Sequence, residues 1–125
     1  MPDLTADSPS RQETACILLT TAPPDIAQGL ARSLVEERLA ACVNLLPGVR
    51  SVYRWEGAVQ DDPETLLLVK STRRALPGLQ ARLTALHPYE VPEQIVLEPA
   101  ALGDLYRTWL LGAVADPSKN DTNPS

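Results

Sequence analysis

The chain has 125 residues, 44% of them hydrophobic and 22% charged, with a formal net charge of -5. That length and balance fit one domain of ordinary soluble composition, and the acidic excess argues against nucleic acid or an anionic membrane surface as the main partner, since both select a basic face. No apolar run approaches the roughly 20 residues of a membrane span, and the polar residues 1–14 lack the apolar segment of a secretion signal, so a cytoplasmic location is expected.

Residues 1–12 carry Pro, Ser, Asp and Thr with little to bury and read as a disordered leader. The folded domain is expected over residues 13–115, with a polar, disordered tail over 116–125. Cys16, Ile17, Leu18 and Leu19 form a short apolar run, the centre of a first strand over 13–21. Pro23 and Pro24 break it, and Asp25 is placed as the N-cap acceptor of a helix. Ala27, Leu30, Ala31, Leu34 and Val35 recur at helical spacing and form its apolar face.

Two long extended segments follow, with a tight reversal between them. Ser51, Tyr53 and Trp55 alternate with Arg50, Val52 and Arg54, the period of a strand. Glu56 and Gly57 supply the reversal, because Gly tolerates the positive φ of short hairpin loops. Past an acidic corner at Asp61, Asp62 and Pro63, the run over 64–70 is apolar enough to be expected buried on both faces. Each arm exceeds a dozen residues, against a usual strand of about five or six. A hairpin that long overhangs so small a domain, and Tyr53 and Trp55 on it need covering. Another subunit is the simplest source of cover.

A second helix is expected over 73–86, with Leu76, Leu79, Leu83 and Leu86 as its stripe and Pro77 and Gly78 confined to its first turn. It stops before Pro88, which disfavours helical backbone at His87. Gln94 to Leu97 forms a fourth strand, bracketed by Pro92 and Pro99. A third helix runs over 102–114, with Leu102, Leu105, Tyr106, Trp109, Leu110 and Ala113 expected to face inward. The order is β-α-β-β-α-β-α. Its first six elements are those of a ferredoxin-like α+β sandwich, with helices on one face of an antiparallel four-stranded sheet.

Several residues have two readings. His87, the only histidine, either ligates a metal or moves protons, or caps the helix that ends there. No second His follows at ligand spacing, which excludes zinc fingers and HExxH metalloproteases. Cys42 is either a thiolate ligand or a buried reduced thiol, and Cys16 is read as the latter. Lys70 either snorkels to solvent or holds an anionic ligand. Asp61, Asp62 and Glu64 lack the spacing of a calcium loop and read as a solvated turn. Glu93, aimed by Pro92, is either a ligand or acid/base group or an edge-strand charge. Phosphate loops, Ser/His/Asp sets and paired catalytic carboxylates are absent as motifs, so no enzyme is expected.

Taken together, several segments resemble one family. They are Leu39 to Asn44 with Pro47 and Gly48; Ser51 to Gly57; Glu64 and Lys70; His87, Pro88, Tyr89, Glu90, Val91, Pro92 and Glu93; and Tyr106 with Trp109. In this order, over about residues 14–114, the chain resembles the CutA family of divalent-cation tolerance proteins. The resemblance implies a ferredoxin-like homotrimer, no established catalysis, copper or another divalent cation as a weakly held ligand, and a kinship with PII-type signalling proteins. It further implies that Cys42, Tyr53, Trp55, Lys70, His87, Tyr89 and Glu93 gather at a cleft between subunits. Copper-binding members can carry a Cys and a further His where this chain has Thr20 and Leu86, so of that set only His87 carries over. The leading expectation is a homotrimer that binds metal through His87, with Cys42 and Glu93 beside it. The alternatives are a module binding a small anionic metabolite, with Lys70 as charge partner and Tyr53, Trp55 and Tyr89 around it, and a scaffold whose site residues only cement the trimer.

Overall fold

The computed structural model describes residues 13–116; the expected leader over 1–12 and the tail beyond Asp116 lie outside the described residues. The elements run β1 (Ala15–Ala22), α1 (Pro24–Glu36), β2 (Cys42–Trp55), β3 (Ala58–Thr72), α2 (Leu76–Leu86), β4 (Ile95–Leu97) and α3 (Asp104–Ala113). The strands form one sheet in the order β2-β3-β1-β4, with every pairing antiparallel. This is the ferredoxin-like α+β architecture expected from the element order.

Strand alternation decides which side is the core. Cys16, Leu18, Thr20 and Ala22 of β1 pair with Ser71, Val69, Leu67 and Thr65 of β3, and all eight are buried. Leu18, Ala22, Leu67 and Val69 pack with Ala27, Leu30, Ala31 and Leu34 of α1 and with Leu79 and Leu83 of α2. Each fully enclosed Leu contributes about 1.5–3 kcal/mol relative to exposure. The opposite face carries Ile17, Leu19, Leu66 and Leu68, only half-buried, and Leu46, Ile95 and Leu97, which are exposed. Within one chain the run over 64–70 is therefore fully buried on one face and, past Glu64, half-buried on the other.

Helix ends differ from expectation for backbone reasons. Asp25 does not cap α1: Pro23 occupies that position without a side-chain bond, Pro24 opens the helix, and Asp25 lies in the first turn. The fixed φ of proline suits the first helical position, while the Asp25 charge favours the positive end of the helix dipole. Val35 is exposed, at the edge of the apolar stripe. The second helix starts at Leu76, three residues later than expected, after the Thr72 hydroxyl accepts a hydrogen bond from the Ala75 N–H. On α3 only Leu110 is buried, whereas Leu105, Tyr106 and Trp109 are exposed. That helix rests near Ala15, Ala41 and Ala75 through Leu110, Leu102 and Ala113, and among the described residues the other half of its stripe stays exposed.

Thr20 is fully enclosed, and its Oγ1 has no hydrogen-bond partner among the described residues. An unsatisfied buried hydroxyl costs about 1–3 kcal/mol, and valine has nearly the same shape. Thr20→Val is expected to raise the unfolding free energy by about 1 kcal/mol, read as a higher guanidinium midpoint at matched protein concentration.

Candidate functional site

The site begins with an extra residue in β2. Leu46 pairs with Leu66 and Val49 with Glu64, so three steps along β2 match two along β3. Pro47 and Gly48 form this bulge, and Gly48 has a φ of 81°, the left-handed conformation that a bulge glycine adopts without strain. The inserted residue inverts the side-chain phase of the rest of the strand. Val49, Ser51, Tyr53 and Trp55 thereby share a face with Glu64, Asp62, Gln60 and Ala58 of β3. The ribbon closes at Glu56 and Gly57, both at positive φ (50° and 79°), the two-residue reversal that matches strand twist.

Segment 87–93 crosses in front of this ribbon, and His87 anchors it. Its imidazole is nearly enclosed, with 7% exposure. Nε2 lies 2.7 Å from the Thr21 carbonyl oxygen, and the Tyr89 backbone N–H donates to Nδ1 at 3.1 Å. A carbonyl only accepts and an N–H only donates, so the ring carries its proton on Nε2. Both nitrogens are thus engaged. The Tyr89 ring lies against the imidazole at 4.7 Å between centroids, and its hydroxyl donates to Glu64 Oε2 at 2.8 Å. Burial first, and then the Glu64 bond, hold the Tyr89 hydroxyl well above the usual tyrosine range. The Tyr53 hydroxyl donates to Asp62 Oδ2 at 2.6 Å, and that bond likewise raises Tyr53.

Between ribbon and segment lies a cavity of about 780 Å³. Tyr53, Trp55 and Tyr89 supply aromatic surface, Glu64, Glu90 and Glu93 supply carboxylates, and Arg50 reaches it from the ribbon. Glu64 corrects the reading of a solvated acidic turn: it is 4% exposed and forms part of the wall. Asp61 and Asp62 stay on the ribbon, bonded to Arg50 and Tyr53.

Of the expected site residues, Tyr53, Trp55, Tyr89 and Glu93 converge on this cavity. His87 stands behind it as the anchor of Tyr89. Within one chain, Cys42 and Lys70 lie elsewhere. They pair with each other in the row of Ile17, four residues along β1 from Thr21, roughly 13 Å at the strand rise. Lys70 Nζ sits over the Tyr106 ring at 5.8 Å, beside a small cavity under α3 lined by Cys16, Leu102 and Leu110. Among the described residues no group of three or more His, Cys, Asp or Glu side chains is arranged to hold a metal. Thr20 belongs to the core and Leu86 packs against it. The roles of Glu64 and Arg50 were not legible. For Glu64 the available signals were its place at the head of an apolar run and among the segments that carry the family resemblance.

With this geometry in view, the comparisons with known proteins are consistent. The signature of the family described as "CutA1 divalent ion tolerance protein" matches residues 15–113. The chain belongs to the CutA1 family. It is 51% identical over 94 residues to the divalent-cation tolerance protein CutA of Thermus thermophilus, covering 75% of this chain and 91% of that one. A solved structure of the divalent cation tolerance protein from Thermus thermophilus superposes with a TM-score of 0.78 at 48% identity, over 82% of this chain and all of that one. A protein described as PII-like, CutA from Nostoc sp. PCC 7120 in apo form, superposes at 0.77 and 39% identity, covering 81% and 98%. CutA1 proteins are named for divalent-cation tolerance, and one of these relatives for its likeness to PII, not for catalysis.

Both cysteines are free thiols. Burial pushes the Cys16 thiol up to about 11, so at pH 8 it is both covered and protonated. In a Cys42→Ser variant the native protein is expected to show no fast thiol reaction with DTNB at pH 8, and one full thiol per chain once denatured.

Proposed function

We propose that this CutA1 chain acts in divalent-cation tolerance as a cytoplasmic homotrimer, without catalysis, and that it works by taking up a small ligand in the cavity between the β2–β3 ribbon and segment 87–93. The observation that carries this reading is the wall itself. A buried carboxylate, Glu64, and the Tyr89 hydroxyl bonded to it face a cavity that also presents Tyr53 and Trp55. About 780 Å³ is within the range of small-molecule sites, which combine apolar walls with a few fixed polar groups. The likeness to a PII-like protein supports a binding role over a reaction.

Self-association is supported by the uncovered face. Leu46, Ile95 and Leu97, with the half-buried Leu19, Leu66 and Leu68, form an apolar surface on the side of the sheet away from α1 and α2. A second copy of the chain buries such a patch most simply, and closed symmetry stops growth at a defined number.

A second reading, metal uptake by His87 with Cys42 and Glu93, draws support from the family description. The ligand would be copper or another divalent cation, held weakly. Geometry asks more of it than of the cavity. Nδ1 is the only ring nitrogen with a lone pair, and it already accepts from Tyr89. Cys42 would have to come from another copy or another conformation.

Two measurements test these readings. Sedimentation equilibrium is expected to return about three times the chain mass of 13.5 kDa, and Leu68→Glu on the uncovered face is expected to lower that mass. In calorimetry with Cu(II), the heat is expected to survive His87→Gln, whose amide keeps the bond to Thr21. Loss of saturable binding in that variant would restore His87 as a ligand.

A further inference from the structure

The cavity wall is unbalanced in charge. It holds Glu64, Glu90 and Glu93 against one guanidinium, Arg50. That guanidinium is already committed: its Nε and Nη2 donate to the two oxygens of Asp61 at 3.0 and 3.2 Å. Glu64 is the decisive group. Among the described residues its one hydrogen-bond donor is the Tyr89 hydroxyl, and no ion pair reaches it. Enclosed on every side but the cavity, the carboxylate has one neutral hydroxyl beside it and no opposite charge among the described residues. Oε2 accepts the Tyr89 proton and Oε1 has no partner among the described residues. The cavity is the open side from which a positive charge can arrive. Around it, Tyr53, Trp55 and Tyr89 offer the electron-rich faces to which cations are attracted.

We propose that the cavity binds a small organic cation, an ammonium or guanidinium compound whose head pairs with Glu64 while its body lies against Tyr53, Trp55 and Tyr89. This rests on the reading of the cavity as the ligand site and specifies the sign of what enters it. An N–H-bearing head gives Oε1 the charge-assisted hydrogen bond it lacks, the stronger kind in an enclosed site. An anion would find Arg50 as the one basic lining residue among the described residues. Lys70, its expected partner, lies ten residues along β3 from Gln60, the partner of Tyr53, roughly 33 Å at the strand rise.

The test uses the full chain carrying Trp109→Phe, which leaves Trp55 as the reporter of the two tryptophans. Agmatine, with an ammonium and a guanidinium group, and glutarate, a dianion of similar length, are titrated while Trp55 emission and calorimetric heat are followed. Agmatine is expected to saturate at least tenfold tighter than glutarate. Glu64→Gln keeps an acceptor for Tyr89 and removes the charge; it is expected to weaken agmatine at least tenfold with the thermal midpoint not lowered and sedimentation unchanged. Tighter binding of glutarate, or unchanged agmatine affinity in the variant, would overturn the cation and leave the cavity standing. No Trp55 response to either compound would overturn both. A smaller assembly in Glu64→Gln would mean that a basic side chain of a second copy is the missing charge, and the small-cation proposal would fall.

Discussion

Everything in this fold hangs on β3, the longer of the two strands hydrogen-bonded along both edges. Over Thr65 to Thr72 it pairs with β1, and from Ala58 to Lys70 with β2. Where both partners are present the sheet has helices over it and a dry core. From Glu64 back to the turn, β3 has β2 alone. A two-stranded ribbon is marginal in water without something packed on it, and its own cross-strand bonds, Arg50 to Asp61 and Tyr53 to Asp62, are exposed and contribute little. The transition from doubly to singly paired strand occurs at Glu64, and the candidate site forms there.

Two local devices turn that transition into a cavity. The Pro47–Gly48 bulge inverts the phase of β2, so Tyr53 and Trp55 face the same way as Glu64. The His87 imidazole, bonded at both nitrogens, ties segment 87–93 to the end of β1 and holds Tyr89 against Glu64. Prolines 88 and 92 restrict the backbone on either side of Tyr89 at little further entropic cost. Both ring nitrogens of the histidine are thus engaged in hydrogen bonds within the chain. A metal at Nδ1 would displace the bond that orients Tyr89, coupling metal uptake to the shape of the cavity wall. The two readings of function compete for one side chain.

The uncovered apolar face and the half-paired ribbon are two aspects of one incompleteness. A chain of this size buries its core on one side of the sheet and leaves the other side half-wet. In α3 the same economy holds: Leu110 anchors the helix while Leu105, Tyr106 and Trp109 remain outside. Such surfaces are what the proposed association would cover, in line with the length of the hairpin.

The sequence by itself determined the element order, the sheet class, the hairpin reversal at Glu56 and Gly57 and the family. These rest on local signals: strand and helix periods, a glycine where φ must be positive, prolines at element ends, and motifs in a fixed order. Only the tertiary structure decided which residues form the site. Strand phase past a bulge depends on pairing, so the face taken by Tyr53 followed from register and not from alternation alone. Glu64 looked like part of a solvated turn because burial is set by Tyr89, a residue 25 positions away. Where Lys70 and Cys42 lie was also beyond the sequence, which gives no measure of distance along a strand; within one chain the pairing carries them away from the cavity. His87 was ambiguous until both its nitrogens had partners, since a ring's availability to a metal depends on what the fold has already bonded to it.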